Sequence, residues 1–377
     1  MIKTVFPLVL AVLATSSVSR AAVPVVAVDI APVHSLVSQV MGSLGEPKLI
    51  VSQGASPHGY SMRPSEAQAL QEADIVFWVS PALTPWLAET IDTLSPDASH
   101  VEMLEIPGNT ILARRENALF EAHHHDDEHG DDLDEEHDEN QGENHTEAHD
   151  ESDHQPNDEA HDEAHDEAHD EAHDEAHDEA HNEAHNEAHN EAHNEDQHHD
   201  KHSDSSHDER DPHAWLDPAN ALIWLDTIAD ELSSADPENA AIYAANAKSG
   251  KAEIQSARSD VESILAGARG QSFIVFHDAY QYFESAFDFP ASGAIALGDA
   301  SKPGPARIQQ IQDRVKQASV SCVLAEPQFN PGVVATVLDG TEARSSEIDP
   351  LGFGIDSGPE LYPSMLRGLA TALADCV

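Results

Sequence analysis

The sequence predicts an α/β protein of two lobes, each with a mainly parallel sheet flanked by helices, joined by a long rigid helix. Three observations carry this. Short runs of β-branched and aromatic residues alternate with amphipathic stretches in both halves of the chain, the pattern of parallel strands covered by helices. One helical pattern of roughly 28 residues separates the halves. The single long segment with almost no apolar residue beyond Ala, 121–209, interrupts the first half and does not divide the two.

Taken in order, the chain opens like a secretory signal, 1–21. Lys3 supplies the positive end, residues 5–13 are apolar but too short to span a bilayer, and Ser19 and Ala21 place small residues at a cleavage site near Ala21/Ala22. No Cys lies there to take a lipid. The first lobe, 23–236, then reads as strand 23–28, helix to Met41, strand 48–51, helix 65–72, strand 74–79, helix 84–94 and strand 100–104. Arg63-Pro64-Ser65 is a helix start. After the insert, 218–232 is amphipathic, and Asp236-Pro237 predicts an N-cap and first turn for the linking helix, 237–268. The second lobe, 269–377, resumes the alternation: strands at 272–276, 291–296, 322–325 and 345–348, helices at 281–287, 305–318, 333–338 and 361–373.

Charge is concentrated in the insert. The 377 residues carry a net charge of −53 and 26 His. Residues 121–209 hold 21 of those His and 37 acids against Lys201 alone, including nine consecutive tetrads, EAHD then EAHN, over 159–194. Such a tract cannot bury a core, and the expectation is disorder without metal. Its imidazoles and carboxylates suit metal ions, loosely and at several stoichiometries. The acidic balance argues against nucleic acid and anionic lipid as partners. No other stretch is apolar enough to cross a membrane.

The two cysteines, Cys322 and Cys376, read as a disulfide in an exported chain; a pair of metal-binding thiolates is the other reading, without a C-x-x-C spacing to support it. Five His lie outside the tract: His34, His58, His100, His213 and His277. His58 and His277 fall at strand-to-helix turns, where open α/β sheets place their ligands. His213 falls just after the insert. His34 reads as a helix residue and His100 as surface. Trp78, Trp86 and Trp224 read as core or interface aromatics. Glu326, in LAEPQF, reads as an acid that either orients a ligand or makes a structural salt bridge. No H-E-x-x-H or comparable hydrolase motif is present, so an enzyme is not expected and no catalytic residue is assigned.

The segments GASPHGYSMRPSE, DPHAWLDPANA, DPENAAIYAANA, FHDAYQYF, LAEPQFNP and EIDPLG together resemble those of ZnuA-like zinc ABC transporter periplasmic substrate-binding proteins. The resemblance spans 25–369, and many zinc-type members also carry a His-rich insert at this point. It implies a soluble, monomeric periplasmic receptor that captures Zn2+ between two lobes and delivers it to a membrane permease. It implies His58, His213 and His277 as metal ligands and Asp349 as the fourth, with water as the other candidate. Pro57 stands where some relatives carry a Glu that could take that place, and manganese-type relatives tend to carry Glu where this chain has His277. Three imidazoles and one carboxylate suit tetrahedral zinc. The Cys322–Cys376 pair also matches a disulfide of zinc-type members. A metal-storage protein acting mainly through the tract is the alternative.

Overall fold

A computed structural model describes residues 23–117, 119–120, 209–298 and 303–377, all within one compact unit. The signal-like segment 1–21 and the tract, up to residue 208, lie outside them. The first half forms β1 (Val26–Val28), α1 (Ala31–Met41), β2 (Lys48–Leu49), α2 (Pro64–Gln71), β3 (Ile75–Trp78), α3 (Pro85–Leu94) and β4 (Ser99–Glu102). The second forms β5 (Phe273–His277), α6 (Gln281–Phe287), β6 (Ala294–Ala296), α7 (Pro305–Gln317), β7 (Cys322–Ala325), α8 (Pro331–Leu338), β8 (Arg344–Glu347) and α9 (Leu361–Cys376). Between them run α4 (Pro218–Ala235) and α5 (Ala240–Leu265).

Both sheets are parallel and have the same plan, β2-β1-β3-β4 and β6-β5-β7-β8. In each the chain switches direction beside the first strand, so a crevice opens outside the carboxyl ends of β1 and β3, and of β5 and β7. Strands β3 and β5 are buried along their whole length, which is why IVFW and FIVFH show no alternation. The edges are polar or short: Lys48 on β2, SHVE on β4, RSSE on β8, which discourages further pairing.

Helix α5 has 26 residues, about 39 Å at 1.5 Å per residue. Its buried stripe, Tyr243, Ala247, Gly250, Ile254, Ala257, Val261 and Leu265, repeats every three to four residues and faces α1, α4 and α9. Gly250 permits the approach, since a Cβ there would press on Gln39 and come within 3.1 Å of Leu225. One apolar core runs through the inner faces of both lobes and these helices, with Trp224 at its centre. Burying that indole contributes roughly 5 kcal/mol by area. The outer faces have their own clusters, around Val76 and Leu87 in the first lobe and Ile274 and Val337 in the second.

The linking helix begins differently from the expectation. Residues Pro237–Asn239 form a 3₁₀ turn, and the Asp236 carboxylate caps no amide. It accepts instead from Asn239 Nδ2 at 2.6 Å and Tyr243 OH at 3.0 Å, fully buried. A side chain that braces a tyrosine inside the core is unavailable to the helix terminus. The strand expected over 291–296 starts at Ala294; Gly293, just before it, accepts from Val275 N at 3.0 Å and also bridges Leu119 of the segment leading to the insert. Cys322, opening β7, and Cys376, closing α9, are joined in a buried disulfide with Cα atoms 5.5 Å apart.

Candidate metal centre

The functional histidines arrive on three separate segments. His277 is the last residue of β5. His213 precedes a 3₁₀ turn, Ala214–Leu216, that leads into α4. His58 stands in the loop between β2 and α2. Their rings gather: the His213 centroid lies 5.7 Å from that of His58 and 5.4 Å from that of His277. Imidazoles bound tetrahedrally at about 2.0–2.1 Å would hold their centroids about 5 Å apart. The two measured spacings exceed that by under an ångström. Among the described residues no three His, Cys, Asp or Glu already enclose a single point.

Two of the rings are oriented by carboxylates. The Nδ1 of His277 is 2.6 Å from Glu326 Oε1, and the other Glu326 oxygen accepts from Gln328 Nε2 at 2.8 Å. The Nδ1 of His213 is 2.7 Å from Asp211 Oδ1, which also accepts the His213 amide at 3.0 Å. A carboxylate accepts, so in each ring Nδ1 carries the proton and Nε2 keeps its lone pair, the arrangement that suits metal ligation. His213 and His277 are 6 % and 4 % exposed, and Glu326 3 %, so neither pair is screened by water.

His58 is held through its loop. Glu66, in the first turn of α2, accepts from Arg63 N at 2.7 Å, Tyr60 OH at 2.7 Å and Ser52 Oγ at 3.0 Å. Burial alone would raise the Glu66 carboxyl, but those three bonds and the Arg63 charge bring it below its ordinary value. Trp86 fixes the residue before His58, donating its indole N–H to Pro57 O at 2.8 Å.

Asp349 lies in the loop after β8, its two oxygens accepting from Leu351 N at 3.0 Å and Gly354 N at 3.3 Å. Burial, then the charges of Glu326 and Asp349, raises the Tyr280 hydroxyl well above its ordinary value, which sets both acids near that group. The Tyr280 ring is 6.3 Å from that of His277. Trp215 Nε1 donates to Pro350 O at 2.8 Å, tying the Asp349 loop to the His213 segment.

The remaining histidines stand elsewhere. His34 is buried in α1, Nε2 to Pro47 O at 3.0 Å, its pKa lowered by burial. His100 is exposed on β4 with Nε2 2.7 Å from Ser95 O. Trp78 and Trp224 are core residues, whereas Trp86 is a half-buried brace of the His58 loop.

Sequence reasoning missed the charged floor beneath His277. Arg115, just before the insert, lies 3.0 Å from Glu284 and 3.6 Å from Asp278 and donates to Gln281 at 2.7 Å. Burial pushes Asp278 and Asp211 each up to about 7 and raises Glu284, while Arg115 pulls all three back. The signal for Asp211 was its place two residues before His213; nothing local marks Arg115. The insert's two roots join here: Ala113 bridges Arg210, and Asp211 N donates to Leu112 O at 2.8 Å.

Paired sheets of one plan, braced by a long helix, with imidazoles gathered beyond the strands' carboxyl ends, are the build of a two-lobed α/β binding protein. The profile of the ZnuA family, zinc-uptake complex component A, periplasmic, matches residues 26–376. The high-affinity zinc uptake system protein ZnuA of Brucella abortus strain 2308 is 42 % identical over 352 residues, 93 % of this chain and 91 % of the relative. The protein of the same name from Paracoccus denitrificans strain Pd 1222 is 41 % identical over 360 residues, 95 % and 93 %. A crystal structure of ZnuA superposes with a TM-score of 0.61 at 19 % identity, over 93 % of this chain and 98 % of that one. The chain belongs to the periplasmic zinc-uptake family. Among the described residues no helix is long and apolar enough to cross a membrane.

Proposed function

We propose that this chain is the high-affinity zinc receptor of an ABC-type uptake system, and that His58, His213, His277 and Asp349 hold the ion between its lobes. The observation that carries the site is the meeting of three imidazoles from three segments, two of them with Nδ1 set against a buried carboxylate. Zn2+ is the cargo. It takes Nε2 of each ring, and Asp349 turns one oxygen from its loop amides to complete a tetrahedron; water fills the fourth place when it does not. A closed four-ligand set leaves no position for an activated water, which agrees with a binding component and not an enzyme.

In this reading the protein is exported, cleaved near Ala21/Ala22, works as a monomer in the periplasm and passes zinc to a membrane permease. Its divisions are 23–236, the linking helix 237–268 and 269–377, with the tract 121–209 as an accessory metal collector. The storage alternative finds no support in the relatives' names. Deleting 121–209 and titrating zinc against a competing chelator separates the two. The receptor reading expects one tight site retained; a deletion protein without tight binding overturns it.

A further inference from the structure

The loop that carries His58 and the loop that carries Asp349 touch at Gln53 and Gly54. Gln53 Nε2 donates to Ile355 O at 2.8 Å and to Gly352 O at 3.4 Å. Next to it, Gly54 has φ +83°, and a Cβ there would run into the Phe353 ring, so that ring lies directly on the Gly54 backbone. Phe353 nevertheless stays 50 % exposed. Each loop is braced within itself. Ser52 is bound to Tyr60 at 2.6 Å and to Glu66, while Asp349, Ile355 N to Gly352 O at 3.1 Å and Trp215 to Pro350 O hold the 349–355 turn. Two internally braced loops from different lobes therefore meet at the Gln53 amide and the Phe353 ring.

We propose that Gln53 and Phe353 form a clasp whose opening sets how fast the metal leaves, positioning residues that do not touch the ion. The proposal rests on reading His58 and Asp349 as ligands from opposite lobes. An ion held by both loops departs only when they part. The long helix α5, packed on helices of both lobes, resists wholesale separation, so a local parting of the loops is the motion of smaller cost. That parting breaks the Gln53 bonds and lifts the ring. Two carbonyl acceptors call for a side chain with two N–H donors, which an amide supplies and a carboxylate does not. Half-exposed and held by few contacts, the clasp is weak enough to open.

The test is zinc release from the full chain, loaded with one equivalent and mixed rapidly with excess chelator. Gln53→Ala and Phe353→Ala are expected to speed the slow release phase about fivefold, the size of one net hydrogen bond, and Gln53→Glu about tenfold or more, because it sets an acceptor against two carbonyls. Association rates should stay within about twofold of the parent, since altered interface contacts act mainly on dissociation. Melting of the metal-free variants checks that each folds, and three substitutions at two positions, Gln53 half-buried and Phe353 exposed, guard against the loss of one. Unchanged release in folded variants overturns the clasp. So does a fall in association that matches the faster release, which would mean a deformed site. If His58→Ala keeps the slow phase, the ligand assignment itself fails, a result separate from either.

Discussion

The two lobes share a sheet plan but use its crevice differently. In the second lobe the crevice holds the histidine of the proposed site: His277 ends β5, and Glu326, just past the neighbouring β7, lies 2.6 Å from its Nδ1. In the first lobe the same place is sealed. Asp29, just past β1, accepts from Val79 N beyond β3 and from Ile30 N, both at 2.7 Å, and is fully buried. The first lobe's histidine stands farther out, half-buried on a loop braced by Glu66. The second lobe therefore presents its proposed ligand with the ring set directly against a buried carboxylate. The first lobe presents its own on a loop whose brace, Glu66, accepts from Arg63 N, Tyr60 OH and Ser52 Oγ. The difference teaches where affinity and where adaptability reside.

Removing a ligand from either side tests this most severely. If a zinc site draws roughly 10–16 kcal/mol from four ligands, one of them accounts for about 3 kcal/mol, over a hundredfold in affinity. His58→Ala, His213→Ala and His277→Ala should each show at least that by chelator competition. The braces come next and should differ between lobes. Glu326→Gln is expected to weaken zinc binding by about 10- to 100-fold, as loss of a partner behind a metal ligand does, whereas Glu66→Gln should cost about tenfold at most. Equal losses would erase the distinction between the lobes.

The disulfide belongs to the second lobe alone and should act on stability. Replacing Cys322 and Cys376 by Ser opens a separation of 54 residues, worth about 4 kcal/mol in the chain-entropy account. For a chain of this size that lowers Tm by roughly 10 °C, read by calorimetry, with zinc affinity moved less than about threefold, since neither Cys touches the three rings.

The smallest effect is expected at Asp29. Burial, against the amide bonds of Val79 and Ile30, holds its carboxyl up at about 7 from an ordinary 3.8. Between those values the folded chain binds more protons than the unfolded one, so this group's contribution is full below 3.8 and is lost as pH rises through 7. Asp211 and Asp278, also held near 7, act in the same direction. Asp29→Asn should flatten part of that decline, seen as a smaller difference between urea midpoints at about pH 4.5 and 7.5, and should cost about 1 kcal/mol for the amide bond it forfeits. A steeper decline in the variant would contradict the assignment.

Much of the architecture was legible because it is written in local periodicity. Apolar runs marked β3 and β5, the Pro-led starts marked α2 and α4, and α5 showed its stripe. The expected cap failed where a distant partner intervened, at Asp236, whose carboxylate serves Tyr243. At the site, the three histidines stood out by motif and by their place at strand ends. The acids beside them were unevenly visible: Glu326 read as either a ligand's partner or an ion pair, Asp211 was passed over, and Arg115 bore no mark, since what it neutralises lies over 160 residues away in Asp278 and Glu284.

By itself, then, the sequence determined the alternation of strands and helices, the long helix, the charge and histidine density of the tract and which imidazoles belong to motifs, because periodicity, charge density and residue chemistry act over a few neighbours. The tertiary structure alone decided which lobe fills its crevice with a carboxylate and which with a histidine, which acids turn the rings, and how Gln53 meets the Gly352 and Ile355 carbonyls. Those outcomes depend on groups brought together across 49 to 302 residues by packing of a shared core, and no local pattern encodes a contact made by the rest of the fold.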